Sequence, residues 1–256
     1  MYQFLSSLSQ TWRTIILSVL GILVAFGVSL ITYINPMGAV LLILAALFVV
    51  FMIFLFKEPY IGLYALTAYC FLFGILSREV GGIAYGIGIE ALLLLIWVIV
   101  IIQHKRYDWT RLNNPLTKLM LMWFIISVVE IINPEGASVI GWLQEIRSTA
   151  LFPMLIIPLV FLLIDSEKKL NWVLILLIAL SLLATLNGMK QQHIGVSSGE
   201  QKFLDEVGAV THLLWGRLRV FSFYGDSGQF GVSQASFVMI AIVLAIAPFK
   251  SWKRVL

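Results

Sequence analysis

Arg217 and Arg219 have the residue type and spacing that best suit chemistry on a charged ligand. They lie in the segment 215–221, WGRLRVF, and residues two apart in an extended chain point to the same side. Guanidinium groups are planar, stay charged at every pH of interest and donate paired hydrogen bonds to phosphate oxygens. The pair therefore predicts a site for a diphosphate.

A glycine-rich turn follows at once, in the sequence GDSGQFG of residues 225–231. Glycines such as Gly225 permit close approach to the backbone, and Asp226 or Ser227 is placed to cap a helix that begins near Gln229. The N–H groups at a helix N-terminus attract anions. An ordinary capped helix with a tight turn has the same pattern, so both interpretations stay open.

A third arginine, Arg147, ends a stretch over residues 138–147 with the spacing of a short amphipathic helix. We expect this helix to lie on the membrane surface and to place Arg147 at the mouth of the next span, where a cation needs a partner or an anionic ligand. The alternatives are an ion pair with Glu145 or Glu130, or contact with lipid phosphates.

Two histidines, His193 and His212, fall in predicted outer loops and are the candidates for a general base or proton carrier. Neither has metal-ligand spacing with another residue, and the single cysteine, Cys70, excludes an intrachain disulfide. A metal site is therefore not expected. Glu90 and Glu130 lie at or within predicted helix ends, where an acid at membrane depth is a functional candidate.

The elements that must position these residues are membrane-spanning helices. Of the 256 residues, 61% are apolar and 12% are charged, against roughly 45–50% and about 25% in soluble globular domains. A water-soluble enzyme is thereby excluded, and the uncharged run 39–56 does not suit the alternating strands of a β-barrel. The net charge of +4 indicates membrane topology rather than nucleic acid binding. The expected fold class is all-α, a polytopic transmembrane helix bundle.

Hydropathy predicts about eight spans in a single transmembrane domain over residues 1–256. The predicted spans are 14–34, 39–56, 60–76, 86–102, 116–132, 150–164, 170–186 and 229–249. The third and the sixth are short for a span, which allows a tilted or re-entrant course.

The distribution of basic residues predicts that both termini are cytoplasmic, because 11 of the 17 Lys and Arg residues then lie inside. This orientation leaves two long outer loops, 133–149 and 187–228. Loops longer than about 12–15 residues are uncommon unless they are functional or disordered, so we expect the active face there. Within the second loop, residues 197–202, SSGEQK, are expected to be flexible and solvated.

The segment 217–248, RLRVFSFYGDSGQFGVSQASFVMIAIVLAIAP, resembles the O-antigen ligase and O-antigen polymerase superfamily of bacterial envelope glycosyltransferases. Members typically show an arginine, a few apolar or small residues, and a Gly/Asp/Asn-rich turn running into a helix. The matching residues are Arg219, Phe221, Gly225, Asp226, Gln229 and Phe230. The segment 145–163, EIRSTALFPMLIIPLVFLL, resembles the family's other arginine-bearing helix entry, with Arg147 in the matching place.

The resemblance implies transfer, without metal or cofactor, of a glycan from undecaprenyl diphosphate to a lipid or glycan acceptor. The reaction would occur at the outer face of the bacterial inner membrane, in contact with membrane lipids. Arg147 and Arg219 would hold the carrier's diphosphate, with Arg217 as a helper. Because diphosphate is the leaving group, fixed cations stabilise its developing charge.

The family's proposed general base is a histidine in a later outer loop, which is followed by more helices. This sequence stops at Leu256, before such a loop. We therefore expect an N-terminal portion of a longer architecture that is inactive alone. The alternative is that His193 or His212 takes the role of base.

A transporter or structural membrane subunit without transfer chemistry is the alternative function. A transferase predicts that Arg147 and Arg219 converge on one outward cavity that opens sideways to lipid. A transporter predicts polar groups that continue through the midplane. The apolar runs of this sequence offer few such groups, which favours the transferase.

Overall fold

The computed structural model describes residues 36–81, 85–133, 136 and 138–246, together with 18–19, 27–29 and 33. In the described part, seven helices are long and apolar enough to cross a membrane, which confirms an all-α polytopic bundle. They are α1 (Pro36–Lys57), α2 (Tyr60–Val80), α3 (Tyr85–Ile102), α4 (Pro115–Val129), α5 (Val139–Leu163), α6 (Glu167–His193) and α9 (Ser227–Ile246). Most of the predicted span 14–34 lies outside the described residues, as do residues 247–249 of the last one.

Short elements connect the long helices. Between α3 and α4 lie two 3₁₀ turns, His104–Arg106 and Trp109–Leu112, and a third, Glu130–Ile132, continues α4. Between α6 and α9 lie α7 (Ser198–Phe203), α8 (Ala209–His212) and the strands β1 (Leu213–Leu214) and β2 (Arg217–Leu218). By its internal contacts the chain forms two compact units, one ending at Lys57 with α1 and one from Glu58 onward with all the other elements named here.

The third and sixth spans, which the sequence predicts to be short, are full-length helices. α2 extends four residues beyond the predicted 76, and α5 begins at Val139, where the Ser138 hydroxyl accepts a hydrogen bond from the Gly141 N–H at 3.1 Å. The amphipathic stretch 138–147 is thus helical, but it forms the first turns of a 25-residue span and not a separate surface helix. Residues 139–149 of the predicted first outer loop consequently belong to α5.

A π turn at Arg147–Leu151 keeps α5 continuous. Pro153 lacks the N–H that would bond to the Thr149 carbonyl in a regular helix. That carbonyl instead accepts a hydrogen bond from the indole Nε1 of Trp123 on α4, at 3.0 Å. A neighbouring helix therefore satisfies the backbone group that proline leaves open, as the membrane interior requires.

Two further tryptophan side chains join α4 to α5 and α3 to α5 by hydrogen bonds to backbone carbonyls. Trp142 Nε1 on α5 donates to the Ser127 carbonyl on α4 at 2.8 Å, and Trp97 Nε1 on α3 donates to the Leu155 carbonyl on α5 at 3.1 Å. A buried indole N–H needs an acceptor, and these carbonyls supply it. The contacts align α4 antiparallel to α5, and α3 parallel to it.

Helices α6 and α9 are joined by polar side chains. Thr185 Oγ1 and Ser181 Oγ on α6 lie 2.9 and 3.2 Å from Oε1 of Gln234 on α9. Hydrogen bonds of this kind hold helices together where apolar surface gives no advantage over lipid. They join the middle of α6 to the N-terminal half of α9.

Candidate functional site

The segment 194–226, between α6 and α9, carries most of the residues that the sequence singled out. It is shorter than the predicted loop 187–228, because α6 continues to His193. Its α7 begins with a capping box, in which the Ser197 hydroxyl accepts from the Glu200 N–H and the Glu200 carboxylate accepts from the Ser197 N–H. The prediction that 197–202 is a flexible stretch is wrong, because residues 198–203 form α7. The stretch is only partly solvated, since Gln201 and Lys202 are exposed but Glu200 has no exposed surface.

Glu200 joins α7 to the end of α6. Its carboxylate accepts hydrogen bonds from Lys190 Nζ at 2.8 Å, Gln191 Nε2 at 2.7 Å and Asn187 Nδ2 at 3.3 Å, besides the Ser197 N–H at 2.8 Å. Burial raises the pKa of the Glu200 carboxyl, but the hydrogen bonds from Lys190, Ser197, Gln191 and Asn187 outweigh it and lower the pKa to about 2. The buried Glu200 carboxylate is therefore ionised, and the ammonium group of Lys190 balances its charge.

Gln191 extends this network to the turn before α9. While its amide N–H donates to Glu200, its Oε1 accepts from the backbone N–H groups of Phe221 and Ser222, at 3.2 and 2.8 Å. The Ser222 hydroxyl donates to the Ala184 carbonyl of α6. Residues 221–222 are thus fixed to α6 through both backbone and side chain.

Arg78, at the end of α2, holds the same turn from the other side. Its Nη1 donates to the Tyr224 carbonyl at 2.7 Å and its Nη2 to the Ser222 carbonyl at 2.6 Å. The guanidinium carbon lies 4.8 Å from the centre of the Phe221 ring and 5.6 Å from that of Phe203, within the range of a cation–π interaction. Arg78 was not among the predicted site residues.

The backbone of the turn comes very close to α2. A Cβ atom placed on Gly74 would lie 2.1 Å from the Phe223 carbonyl oxygen, so only glycine fits at that position. α2, α6 and α7 therefore all contact residues 221–226. These contacts fix the position of the turn 221–226.

His212 lies inside this assembly, with 2% of its surface exposed. Its ring packs edge-on against Phe203 and Phe221, with centroid distances of 5.4 and 4.8 Å. Nδ1 lies 2.9 Å from the Gly208 carbonyl, while Nε2 is buried without a hydrogen-bond partner among the described residues. His193, the other predicted base, is exposed at the last position of α6.

Arg217 and Arg219 lie on or beside a two-stranded hairpin. Leu213 pairs with Leu218 and Leu214 with Arg217, around a turn in which Trp215 and Gly216 both have positive φ. Arg217 therefore has the extended conformation that the sequence analysis assumed. The hairpin pairing continues to Arg219, whose N–H donates to the His212 carbonyl at 2.8 Å.

Both arginine side chains are exposed. Arg219 Nη1 donates to the Thr211 carbonyl at 3.2 Å, and its other N–H groups have no acceptor among the described residues. Arg217 has no hydrogen-bond or ion-pair partner in the same part of the chain. Most of their donor capacity therefore remains open to a ligand.

Asp226, one of the two residues that the sequence offered as a cap, caps α9. Its Oδ1 accepts from the N–H groups of Gly228 and Gln229 at 2.6 and 3.3 Å. The bond from Gly228 lowers the pKa of the Asp226 carboxyl, and the charge of Arg219 acts in the same direction.

Arg147 occupies a different place. It begins the π turn of α5, and its Nε donates to Oε1 of Glu90 on α3. The predicted partners Glu145 and Glu130 are thus not the ones found. The expected convergence of Arg147 and Arg219 on one outward cavity stays a prediction.

Sequence reasoning missed the roles of Ser197, Glu200 and Arg78 in the network. Ser197 and Glu200 have the S-x-x-E spacing of a capping box, which is the signal that indicates a helix in place of a flexible stretch. Arg78 gives no such signal, because its acceptors are carbonyls 144 and 146 residues away.

The described residues contain no group of three or more His, Cys, Asp or Glu side chains that could hold a metal ion. To a ligand, the segment 194–226 presents the exposed guanidinium groups of Arg217 and Arg219. Comparison with models of protein families, with curated proteins and with solved structures found no match to this chain.

Proposed function

We propose that this protein takes part in the transfer or polymerisation of a glycan carried on undecaprenyl diphosphate, at the outer face of a bacterial inner membrane. The observation that carries the proposal is the pair of exposed arginines, Arg217 and Arg219, on a hairpin at the end of a membrane-embedded bundle. The sequence resemblance to O-antigen ligases and polymerases supports it on the same residues.

The arrangement suits a diphosphate because the backbone that carries Arg219 is fixed before the ligand arrives. The Arg219 backbone is bonded to His212, and the turn that follows is held by Arg78, Gln191 and Gly74. Guanidinium groups on a fixed backbone stabilise negative charge on a leaving diphosphate without reorganising during the reaction. The acceptor would be a lipid or a glycan that reaches the same end of the bundle.

Arg147 enters the proposal as a second cation. In this structure its partner is Glu90, so a phosphate would have to replace a carboxylate that is already bonded. The Arg147 side chain is 44% exposed, which leaves room for that exchange. We therefore propose that Arg147 pairs with Glu90 in the free protein and exchanges this partner for the diphosphate when the ligand binds.

A transfer assay in membranes tests the proposal. Membranes containing the protein, expressed from its complete reading frame, are supplied with glycan linked to undecaprenyl diphosphate. Transfer is compared between the unaltered protein and the variants Arg217→Ala, Arg219→Ala and Arg147→Ala. We expect Arg219→Ala to abolish transfer while the protein still inserts.

Lys202→Ala is the matched control. Lys202 is a cation of the same segment, 73% exposed, whose only described partner is Glu206 at 3.8 Å. It should retain full transfer. If all three arginine variants transfer as well as the unaltered protein, the site assignment is wrong. If the unaltered protein transfers from no donor, a transporter or structural subunit becomes the better interpretation.

A further inference from the structure

An apolar cavity of about 250 Å³ lies between α2, α5 and α6, among residues that the proposed function does not use. Apart from Thr67 and Cys70, its walls are hydrocarbon side chains. The remaining lining residues are Leu63, Leu66, Phe71, Ile156, Val160, Ile164, Leu170 and Val173. The Thr67 hydroxyl donates to the Leu63 carbonyl at 2.8 Å, so its hydrogen is already used.

A hydrocarbon chain is the ligand that such a cavity suits. Cavities of roughly 150 Å³ lined by Leu, Ile and Phe stay dry and take up a molecule the size of benzene. Here the cavity is larger, partly open, and formed almost entirely by residues of the candidate membrane spans. If it stayed empty, the side chains along its walls would lose dispersion contacts that a lipid chain can supply.

One end of the cavity is bounded by charged residues. Ile164 and Leu170 line that end, and the connection 165–169 lies between them. Lys169 Nζ is 2.8 Å from Asp165 Oδ1 and 4.7 Å from the centre of the Tyr60 ring. Lys168 is exposed and has no acceptor in the described part of the chain.

Lys168 is the cation at this end that is open to an anionic head group. Arg111 lies 3.7 Å from Asp108 Oδ2 and Lys169 lies 2.8 Å from Asp165 Oδ1, whereas Lys168 has no acceptor in the described part of the chain. Basic pockets at the ends of spanning helices are suited to bind phosphate-bearing lipid head groups.

We infer that this cavity binds one acyl chain of an anionic phospholipid, with the phosphate beside Lys168 and Lys169. The inference does not rest on the proposed transferase function, because none of Arg147, Arg217 and Arg219 takes part. The lipid fills the gap between three helices and ties the start of α6 to the membrane surface.

The single cysteine of the chain provides a direct test. Cys70 lines the cavity and is half-buried, so a bound acyl chain should protect it from alkylation. The purified protein in dodecyl maltoside is treated with N-ethylmaleimide, and the rate of Cys70 modification is followed by intact mass spectrometry. Phosphatidylglycerol and phosphatidylcholine with identical acyl chains are the two probes.

We expect phosphatidylglycerol to slow alkylation at a roughly tenfold lower concentration than phosphatidylcholine, since two lysines contribute to its binding. The double variant Lys168→Gln, Lys169→Gln should lose this difference. A rate that does not respond to lipid, or equal protection by both lipids, would overturn the inference.

A second variant tests the cavity itself. Val173→Trp places a large ring in it, and should slow alkylation without lipid and remove the lipid effect. Leu183→Trp is the matched control on α6, at a half-exposed residue that does not line the cavity. It should leave both the rate and the lipid effect unchanged. Circular dichroism confirms that each variant is helical, and the lysine variant tests the inference if Val173→Trp does not fold.

Discussion

The guanidinium group of Arg78 stacks on the ring of Phe221, with its central carbon 4.8 Å from the ring centroid. The same group donates hydrogen bonds to carbonyls on either side of Phe223. One side chain of α2 thus fixes both the backbone and a core side chain of the turn that leads into α9. The turn has its position because three helices contact it, and because Arg78 supplies donors for carbonyls that have no strand or helix partner.

Replacing Arg78 by lysine should loosen this turn. An ammonium group keeps the charge but cannot donate the same fork to two carbonyls, and hydrogen bonds to charged groups contribute about 2 kcal/mol each. We expect Arg78→Lys to increase amide hydrogen exchange over residues 219–226 while α3 to α5 exchange as before. Arg111→Lys, at an exposed arginine 3.7 Å from Asp108, is the control. Unchanged exchange over 219–226 would show that Arg78 does not hold the turn.

Gly74→Ala should displace the turn by steric overlap alone. The new methyl group would lie 2.1 Å from the Phe223 carbonyl oxygen, and overpacking of this kind costs about 1–3 kcal/mol. At Gly86 in α3 a methyl group meets nothing within 4 Å, so Gly86→Ala should be neutral or stabilise the helix by up to about 1 kcal/mol. Thermal unfolding in detergent measures both, and equal melting temperatures would contradict the close approach.

Glu200 should make the segment 194–226 sensitive to acid. The folded-state pKa of this carboxyl, about 2, is below its ordinary value of 4.5, so its contribution is fully present above pH 4.5 and is lost as the pH falls toward 2. That difference in pKa corresponds to about 3 kcal/mol. We expect Glu200→Gln to lower stability at pH 7 and to flatten the dependence between pH 4.5 and 2.

The pH dependence is read from protease cleavage within 194–226, with Glu206→Gln as the control. Glu206 is 61% exposed and lies 3.8 Å from Lys202, so its removal should change neither quantity. If Glu200→Gln and the unaltered protein show the same acid profile, the buried carboxylate does not control the segment.

Glu90 should compete with an anionic ligand for Arg147. Because the carboxylate occupies the guanidinium, Glu90→Gln removes a competing charge and should tighten binding of inorganic diphosphate several-fold, measured by calorimetry on the purified protein. Glu145 is an exposed acid of α5, the helix of Arg147, and does not pair with this arginine. Glu145→Gln should therefore leave diphosphate binding unchanged. Weaker binding in Glu90→Gln would indicate that the ion pair supports the site and does not compete with it.

His212 should act through packing. Its ring is enclosed by Phe203 and Phe221, and Nε2 lacks access to solvent. We expect His212→Phe to retain most transfer activity and the pH profile of the unaltered protein, since an aromatic ring keeps the contacts. A loss of activity with normal folding, or a changed pH profile, would instead identify His212 as the general base.

The spans could be predicted from sequence because membrane helices depend on local composition. Seven helices match predicted spans, and the extra length of α5 comes from an N-terminal cap at Ser138 and a π turn that accommodates Pro153. Ser138 and Pro153 are visible in the sequence, but they do not indicate that one continuous helix begins after the first and runs past the second. A cap at Asp226 or Ser227 could be predicted because a cap depends on one residue and its near neighbours, and Asp226 is the one that accepts the hydrogen bonds.

The partners of the charged residues could not be predicted. Arg147 pairs with Glu90, 57 residues earlier, although nearer acids were available in the sequence. Glu200 is buried by the end of α6, and Arg78 is bonded to a turn that lies more than 140 residues later. Such pairings depend on which helices become neighbours, and a single sequence does not state this.

The separation between Arg78 and its carbonyls also sets an order of assembly. At a synthesis rate of about 5–20 residues per second, roughly 10 s pass between the emergence of α2 and that of residues 222–224. During this interval Arg78 lacks the two carbonyl acceptors that it has in the folded protein. The segment 194–226 can therefore take its folded position only after α2 has been made, and its docking completes the hydrogen bonds of Arg78.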